Sequence, residues 1–189
     1  LTLLRKSGAE TLEHEIAECL KPLGLPNVRF KIAVSPTGLS HNGADRIEFL
    51  FSANPGMPLR PISETASGGE IARVMLSIKA LISGAERLPT IIFDEIATGV
   101  SGRVAEQMAL MMKNMGQTDR QVISITHLPQ IAAMGSCHYK VYKTQDETET
   151  RTHMVRLTEE ERVNEIAQML SGSSITDAAI HNAKELLKR

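Results

Sequence analysis

The sequence is poor in the residues that most nucleic-acid-binding proteins use. Its 189 residues include no tryptophan, four phenylalanines and two tyrosines, so only 3% of the chain is aromatic and it offers no evident stacking platform for bases. Lysine and arginine number 21 and aspartate and glutamate 22, which leaves a formal net charge of −1. Because a basic surface is the usual footprint of a nucleic-acid binder, the overall charge does not indicate that class.

Cysteines and long apolar runs are also scarce. Cys19 and Cys137 are too few for a disulfide framework or a four-cysteine metal site. No apolar run approaches the roughly 20 residues that a membrane-spanning helix needs. We therefore expect a cytoplasmic protein with no membrane partner. The fractions of apolar residues (42%) and charged residues (23%) are typical of a globular domain.

A phosphate-binding loop is missing. None of the 13 glycines is followed by lysine, so the motif G-x-x-x-x-G-K-[ST] is absent, and the chain alone is not an ordinary P-loop nucleotidase. The chain also begins with Leu1 instead of methionine. We expect it to be a segment of a longer protein.

Hydrophobic periodicity predicts most of the elements in the first half. It indicates a helix over residues 1–21 and two antiparallel-type strands, 28–34 and 47–51, joined by a polar loop that contains Pro36 and Gly38. Residues 54–69 are rich in proline and glycine and are predicted to form an ordered loop or a linker. From Ile71 onward, apolar residues recur at helical spacing and predict a helix buried along one stripe.

The second half alternates between strand and helix patterns. Two short apolar runs, 90–93 and 121–126, are typical of buried strands, and the segment 103–115 between them has helical spacing. This order predicts a right-handed parallel βαβ unit, hence an α/β fold. The remaining predicted elements are a hairpin (138–143 and 151–157), a helix that begins at a capping box (158–161) and a last helix (176–188).

Two carboxylates follow the first buried strand directly, at Asp94 and Glu95. The carboxyl end of a parallel strand is where α/β proteins bind ligands. In a Walker B arrangement the aspartate belongs to the Mg²⁺ shell and the glutamate orients the attacking water. A solvated strand end or a helix cap remains the alternative.

A serine and two glycines precede the long helix, followed by an acid: Ser67, Gly68, Gly69 and Glu70. Glycines let the backbone approach a ligand closely, and a helix N-terminus attracts anions. The pattern therefore suits phosphate binding without a lysine. The alternative is a serine cap followed by a glycine turn.

Two further groups lie near the predicted strand ends. His127 follows the second strand, so it would lie beside the carboxylates if the two strands are neighbours, and it could then bind a terminal phosphate or the attacking water. Gly99, Ser101 and Gly102 follow Glu95 and suit either a tight turn or a subunit contact. For His127 the alternative is a loop histidine without a role.

In this order the motifs resemble a known architecture. S-G-G-E, hydrophobic-D-E, G-V-S-G and T-H-L-P-Q together are similar to the C-terminal half of an ABC-type ATPase head. More narrowly, they resemble the RecN family of bacterial DNA repair proteins, relatives of the SMC ATPases, from about Ala53 to Leu187. In that family the phosphate loop lies in an N-terminal half, beyond a long coiled coil. The resemblance thus implies a coiled-coil end at 1–25 and a C-terminal head lobe at 26–189.

The resemblance also implies roles for the candidate residues. Asp94 would hold Mg²⁺ through water, Glu95 would be the general base and His127 the switch histidine. The signature, residues 67–70, would contact ATP bound to the opposite protomer. The D-loop, which includes Gly99, Ser101 and Gly102, would lie along the dimer interface. Ala97 departs from the family pattern, which has aspartate there.

The function implied is an ATPase of DNA double-strand-break repair and recombination in the bacterial cytoplasm, associated with the nucleoid. Its cofactors would be ATP and Mg²⁺. Its partners would be the N-terminal Walker A lobe of the same protein, a second copy across ATP-sandwiched heads, and DNA. The isolated chain is expected to be inactive. The alternative is a dimerisation or docking lobe of another SMC-like or ABC-type protein that does not hydrolyse ATP.

Overall fold

The computed structural model describes residues 1–85, 88–117, 120–146, 149–172 and 174–188, which divide into two compact units, Leu1–Ile123 and Ser124–Arg189. The elements of the first unit are α1 (Thr2–Leu20), β1 (Arg29–Ser40), β2 (Gly43–Ser52), β3 (Arg60–Pro61), α2 (Ile62–Thr65), α3 (Gly68–Ala85), β4 (Thr90–Asp94) and α4 (Gly102–Met115). Strand β5 (Gln121–Ile125) crosses the division. The second unit contains α5 (Pro129–Met134), β6 (Tyr139–Gln145), β7 (Thr150–Arg156), α6 (Glu159–Ser171) and α7 (Asp177–Leu187).

Strands β1 and β2 form the predicted antiparallel pair, but they are longer than expected. The prediction of a loop through Pro36 and Gly38 is wrong, because β1 continues to Ser40 and the chain turns immediately before Gly43. The register shifts between Pro36 and Ser40. A proline, which has no N–H to donate, is tolerated where the ladder is interrupted in this way.

The segment 54–69 is more ordered than a linker. Strand β3 pairs with β2, with Leu50 opposite Pro61 and Phe51 opposite Arg60. The short helix α2 follows and packs against β2. The prediction of an ordered loop or a linker is therefore wrong for 60–65, where pairing with β2 forms a strand and a short helix in a stretch whose composition indicates only a loop.

The βαβ unit is confirmed. Strands β4 and β5 are hydrogen-bonded neighbours in a parallel sheet, connected through α4. Met108, Met112 and Met115 of α4 are buried, which confirms that its methionine-rich face fills the core.

The predicted single stripe on α3 is only partly correct. Val74 is buried, as are Leu76 and Ser77, whereas Met75 and Ile82 are 42% and 41% exposed. Helix α3 contacts both α1 and α4, so it buries more than one face. Ser77 meets its polar requirement by donating its hydroxyl to the carbonyl of Arg73 at 2.9 Å.

Helix α1 is anchored at its C-terminal end. Ile16 and Leu20, one turn apart, and Leu23 just beyond the helix are fully buried. The helix packs against β1 and α3. At its other end, Leu3 and Leu4 are exposed. The division into a coiled-coil end (1–25) and a head lobe (26–189) stays a prediction.

The second unit has a small helical core and the predicted hairpin. Strands β6 and β7 pair antiparallel from Tyr139↔Arg156 to Gln145↔Thr150. Thr158 and Glu161 form the predicted capping box of α6. The core consists of small and aliphatic side chains from α5, α6 and α7: Ala133, Ile166, Ala167, Ala179 and Ala183. No helix in the described ranges is both long and apolar enough to cross a membrane.

Candidate active site

Two exposed carboxylates lie at the carboxyl end of strand β4. Ile91 and Phe93 are buried and anchor the strand, whereas Asp94 and the following Glu95 are exposed at its carboxyl end. An exposed carboxylate at this edge of a parallel sheet can be reached by a ligand and its metal ion.

Glu95 has an unusual backbone conformation. Its φ of +49° makes it the one non-glycine residue with positive φ among those the structure describes. A side chain in this left-handed region costs roughly 1–3 kcal/mol, and such residues concentrate at functional sites because their surroundings must hold them there. The Glu95 carbonyl accepts hydrogen bonds from the Thr98 backbone N–H at 3.2 Å and from the Thr98 hydroxyl at 2.7 Å. The conformation is thus held by the turn that follows.

The predicted D-loop is a succession of tight turns. The Val100 N–H donates to the carbonyl of Ala97 at 3.3 Å, and the Ala97 side chain is buried. Gly99 and Gly102 have φ values of +80° and +55°, which explains why glycine occupies these positions. Ser101 precedes α4 at its N-cap, but its side chain makes no capping hydrogen bond. The Ser101 hydroxyl is exposed and is not used to stabilise the helix.

The predicted signature begins α3 with a second capping box. The Glu70 carboxylate accepts hydrogen bonds from the Ser67 N–H at 2.7 Å and from its hydroxyl at 2.8 Å. The Ser67 carbonyl in turn accepts from the N–H groups of Glu70 and Ile71. The helix-cap and the phosphate-binding interpretations of this segment are therefore compatible. Ser67 caps the helix, and it still lies exposed at the helix N-terminus, where an anion could bind.

The two signature glycines differ in their surroundings. A Cβ added at Gly68 would meet no atom within 4 Å. A Cβ added at Gly69 would lie 3.5 Å from the carbonyl oxygen of Thr98 and 3.9 Å from Cγ1 of Val100. The structure thus brings together three predicted features, namely the signature, the D-loop and the turn that begins at Glu95.

Sequence reasoning missed Arg73, one turn into α3. Its Nε donates to the Gly69 carbonyl at 2.9 Å, and its Nη1 donates to the Leu23 carbonyl at 2.8 Å. The arginine therefore ties the signature turn to the segment just after α1. The four-residue spacing from Gly69 is the available sequence signal, since residues i and i+4 share a helix face.

His127 lies in the second unit, two residues beyond the end of β5, and is exposed. The Leu128 N–H donates to the Thr126 hydroxyl at 3.0 Å, which shapes the turn around the histidine. Pro129 then begins α5, a helix that sequence reasoning did not anticipate although proline is common at the first helical position. The placement of His127 beside Asp94 and Glu95 stays a prediction.

The second unit also contains a buried arginine that sequence reasoning missed. Arg162 donates to the Gly135 carbonyl at 2.8 Å and pairs with Glu159, also at 2.8 Å. Burial, together with the positive charge of Arg162, lowers the pKa of His138. His138 Nε2 and Arg162 Nε are buried atoms for which the described residues supply no hydrogen-bond partner.

Asp94 suits the chemistry of magnesium, because Mg²⁺ prefers oxygen ligands and is usually held by one or two carboxylates together with water and phosphate oxygens. Within the described ranges, no three or more His, Cys, Asp and Glu side chains are grouped to hold a metal ion.

A separate groove of about 550 Å³ lies between the end of α1, α3 and α4. It is lined by Cys19, Leu23 and Leu110, among others, and contains none of the candidate residues.

Comparison with known proteins then identifies the chain's relatives. It is 39% identical over 99% of its length to DNA repair protein RecN of Halalkalibacterium halodurans. It is 39% identical over 98% of its length to RecN of Bacillus subtilis, and 40% over 99% to RecN of Deinococcus radiodurans. The resemblance to the RecN family is confirmed. The chain matches a C-terminal portion of these relatives and spans about a third of their length. No family model matches the chain.

Solved structures show the same fold as this RecN-like chain. The Smc head of Pyrococcus yayanosii, solved with a coiled coil and joint, superposes with a TM-score of 0.65 at 20% identity, over 89% of this chain and 30% of that one. A chain from a study of ATP-driven dimerisation and DNA-stimulated activation of SMC ATPases gives 0.61 at 17% identity, over 92% of this chain and all of the other. The predicted fold class, α/β with the fold of an SMC-type head lobe, is confirmed.

Proposed function

We propose that this RecN-like chain is the C-terminal part of an ATPase that acts in DNA double-strand-break repair and recombination. One observation carries the proposal: the predicted signature glycine Gly69 lies beside the turn that holds Glu95 in its left-handed conformation, since a Cβ added at Gly69 would be 3.5 Å from the Thr98 carbonyl oxygen. The signature and the Walker B segment, which would contact two different ATP molecules, thus lie side by side in this chain. The Walker A loop would come from the rest of the protein, so the chain alone would not turn over ATP.

Hydrolysis would use the exposed end of β4. Asp94 would hold Mg²⁺ through water, and the ion would neutralise developing phosphate charge. The Glu95 carboxylate would orient the attacking water and accept its proton. His127 would contact the terminal phosphate as the switch histidine.

The signature would act on ATP held by a second copy. A Cβ added at Gly68 would meet no atom within 4 Å, so this end of α3 leaves room for a ligand, and a helix N-terminus attracts anions. Ser67, Gly68, Gly69 and Glu70 would contact ATP of the opposite head, while Gly99, Ser101 and Gly102 would line the interface. ATP would then join two heads, and hydrolysis would release them.

The N-terminal lobe of the same protein would cover apolar surface that the first unit leaves open. Ile92 of β4 is 58% exposed and Ile123 of β5 is 39% exposed. Side chains of buried-strand type that remain exposed mark a contact surface. DNA association and a location in the bacterial cytoplasm at the nucleoid are proposed on the basis of the RecN relatives alone, because the near-neutral charge of this chain does not indicate a DNA surface.

The decisive experiment uses the full-length protein. Glu95→Gln should bind ATP and accumulate as ATP-bound dimers, while turnover falls at least a hundredfold. Size-exclusion chromatography with ATP and a phosphate-release assay measure the two effects. Glu10→Gln, at an exposed position of α1, serves as the control and should behave like the wild type. Normal hydrolysis by the Glu95 variant would refute the assignment of the base.

A further inference from the structure

We propose that Thr98 is a positioning residue for Glu95, and that its hydroxyl holds the backbone of the general base in the conformation from which the carboxylate acts. The inference rests on the proposed function, because a positioned Glu95 matters only if Glu95 is the base. Thr98 lies between two motifs, because its hydroxyl and N–H bond to Glu95 and its carbonyl oxygen faces Gly69.

The first contact is with the base. Both the hydroxyl and the backbone N–H of Thr98 donate to the Glu95 carbonyl, and the hydroxyl bond is the shorter, at 2.7 Å against 3.2 Å. The backbone bond alone would leave the peptide plane after Glu95 less constrained. Since Glu95 has positive φ, relaxation of this turn would move its side chain away from the place where β4 presents it.

The second contact is with the signature. The Thr98 carbonyl oxygen lies 3.5 Å from the position that a Cβ of Gly69 would take. In the proposed dimer, Glu95 acts on ATP bound by its own head and Gly69 on ATP bound by the other. Thr98 would therefore connect the base of one composite site with the signature of the second.

The side chain of Thr98 can be altered without disturbing the core, because the residue is exposed. Thr98→Val removes the hydroxyl and keeps the shape, whereas Thr98→Ser keeps the hydroxyl and removes a methyl group. Thr11→Val is a matched control, since the exposed Thr11 hydroxyl also donates to a backbone carbonyl, that of Ser7, but in α1.

The experiment measures steady-state ATP turnover, ATP affinity and thermal unfolding of the full-length variants. We expect Thr98→Val to lower kcat about ten- to a hundredfold, the scale for a misplacement of ~1 Å, while KM and the Kd for ATP change less than about twofold. Thr98→Ser should retain most of the turnover. Unchanged kcat in Thr98→Val would overturn the proposal, as would equal losses in the valine and serine variants or a loss of ATP affinity and thermal stability that parallels the loss of kcat.

A double variant separates this proposal from the assignment of Glu95. If Thr98 acts through Glu95, adding Thr98→Val to Glu95→Gln should not lower the residual turnover further. A further tenfold loss would show that Thr98 acts by another route. If Glu95→Gln hydrolyses ATP normally, the proposed function fails. If Glu95→Gln is inactive and Thr98→Val is fully active, only the role of Thr98 is refuted.

Discussion

The carboxylate of Glu70 accepts hydrogen bonds from both the backbone N–H and the hydroxyl of Ser67, at 2.7 and 2.8 Å. A residue proposed to contact ATP therefore already caps α3 in the same chain. In the proposed dimer, a phosphate that binds the Ser67 hydroxyl would have to compete with this carboxylate. The proposed signature would thus combine helix capping and ligand binding in one pair of side chains.

Removing the Glu70 side chain should destabilise the protein. Glu70→Ala loses the acceptor of the capping box, and we expect it to lower the free energy of unfolding by about 0.5–2 kcal/mol. Glu70→Gln keeps a capping-box acceptor and should lose less. Urea unfolding of both variants tests this, and equal stability of Glu70→Ala and wild type would refute the capping role.

Alanine substitutions at the predicted signature glycines should affect ATP-induced dimerisation without affecting stability. Gly68→Ala introduces a Cβ into open space, and in Gly69→Ala the nearest contact, 3.5 Å, is an ordinary van der Waals distance. Because alanine also favours helix, neither variant should lose stability. Both should nevertheless lose ATP-induced dimerisation, since the added methyl groups block close approach of the backbone to phosphate.

Gly8→Ala is the matched control for these two variants, as Gly8 lies exposed within α1 with nothing within 4 Å of an added Cβ. It should dimerise with ATP like the wild type. Analytical ultracentrifugation with and without ATP measures the effect. ATP-dependent dimers of normal affinity in both signature variants would argue against a signature role for this segment.

Replacing Arg73 should lower the stability of the protein, because its guanidinium donates hydrogen bonds to two separate segments. Arg73→Lys keeps the charge but has no planar fork with which to reach the Gly69 and Leu23 carbonyls together. We expect a loss of about 1.5–3 kcal/mol in the free energy of unfolding, as for hydrogen bonds made by charged groups. Chemical denaturation measures it. Lys79→Arg, at an exposed position of the same helix, should leave stability within about 0.5 kcal/mol of the wild type.

His138 should make stability depend on pH. Burial and the nearby Arg162 lower its pKa in the folded state, although Glu159, Glu165 and the Ala132 carbonyl favour the charged form. The unfolded chain therefore binds the proton more readily. The free energy of unfolding should be highest above the ordinary histidine pKa of about 6.5 and decrease as the pH falls through it.

His138→Gln removes this titration, and its free energy of unfolding should vary less between pH 7.5 and 5.5 than that of the wild type. His14→Gln, at an exposed position of α1, is the control and should follow the wild-type curve. Urea unfolding at several pH values provides the measurement. Parallel curves for His138→Gln and the wild type would show that His138 does not contribute.

Elements with strong local signals were predictable. The alternation in β1 and β2, the apolar runs of β4 and β5 and the capping box at Thr158 all depend on neighbours in sequence, and each is confirmed. Elements that form only by pairing with distant segments could not be predicted from the sequence. Pro36 lies in a strand because Asp45 is opposite it, and β3 exists because β2 provides an edge.

The order of the motifs in the sequence determined the fold class and the resemblance to RecN, because those motifs occur at local, readable spacings. Only the tertiary structure revealed that Glu95 has positive φ, that Thr98 connects it with Gly69, and that Arg73 joins the signature to the end of α1. The approach of Gly69 to Thr98 and the hydrogen bond from Arg73 to the Leu23 carbonyl join segments distant in the chain, whereas the conformation of Glu95 belongs to a local turn. Periodicity and composition contain no information about such contacts, since they report only which face of an element is apolar.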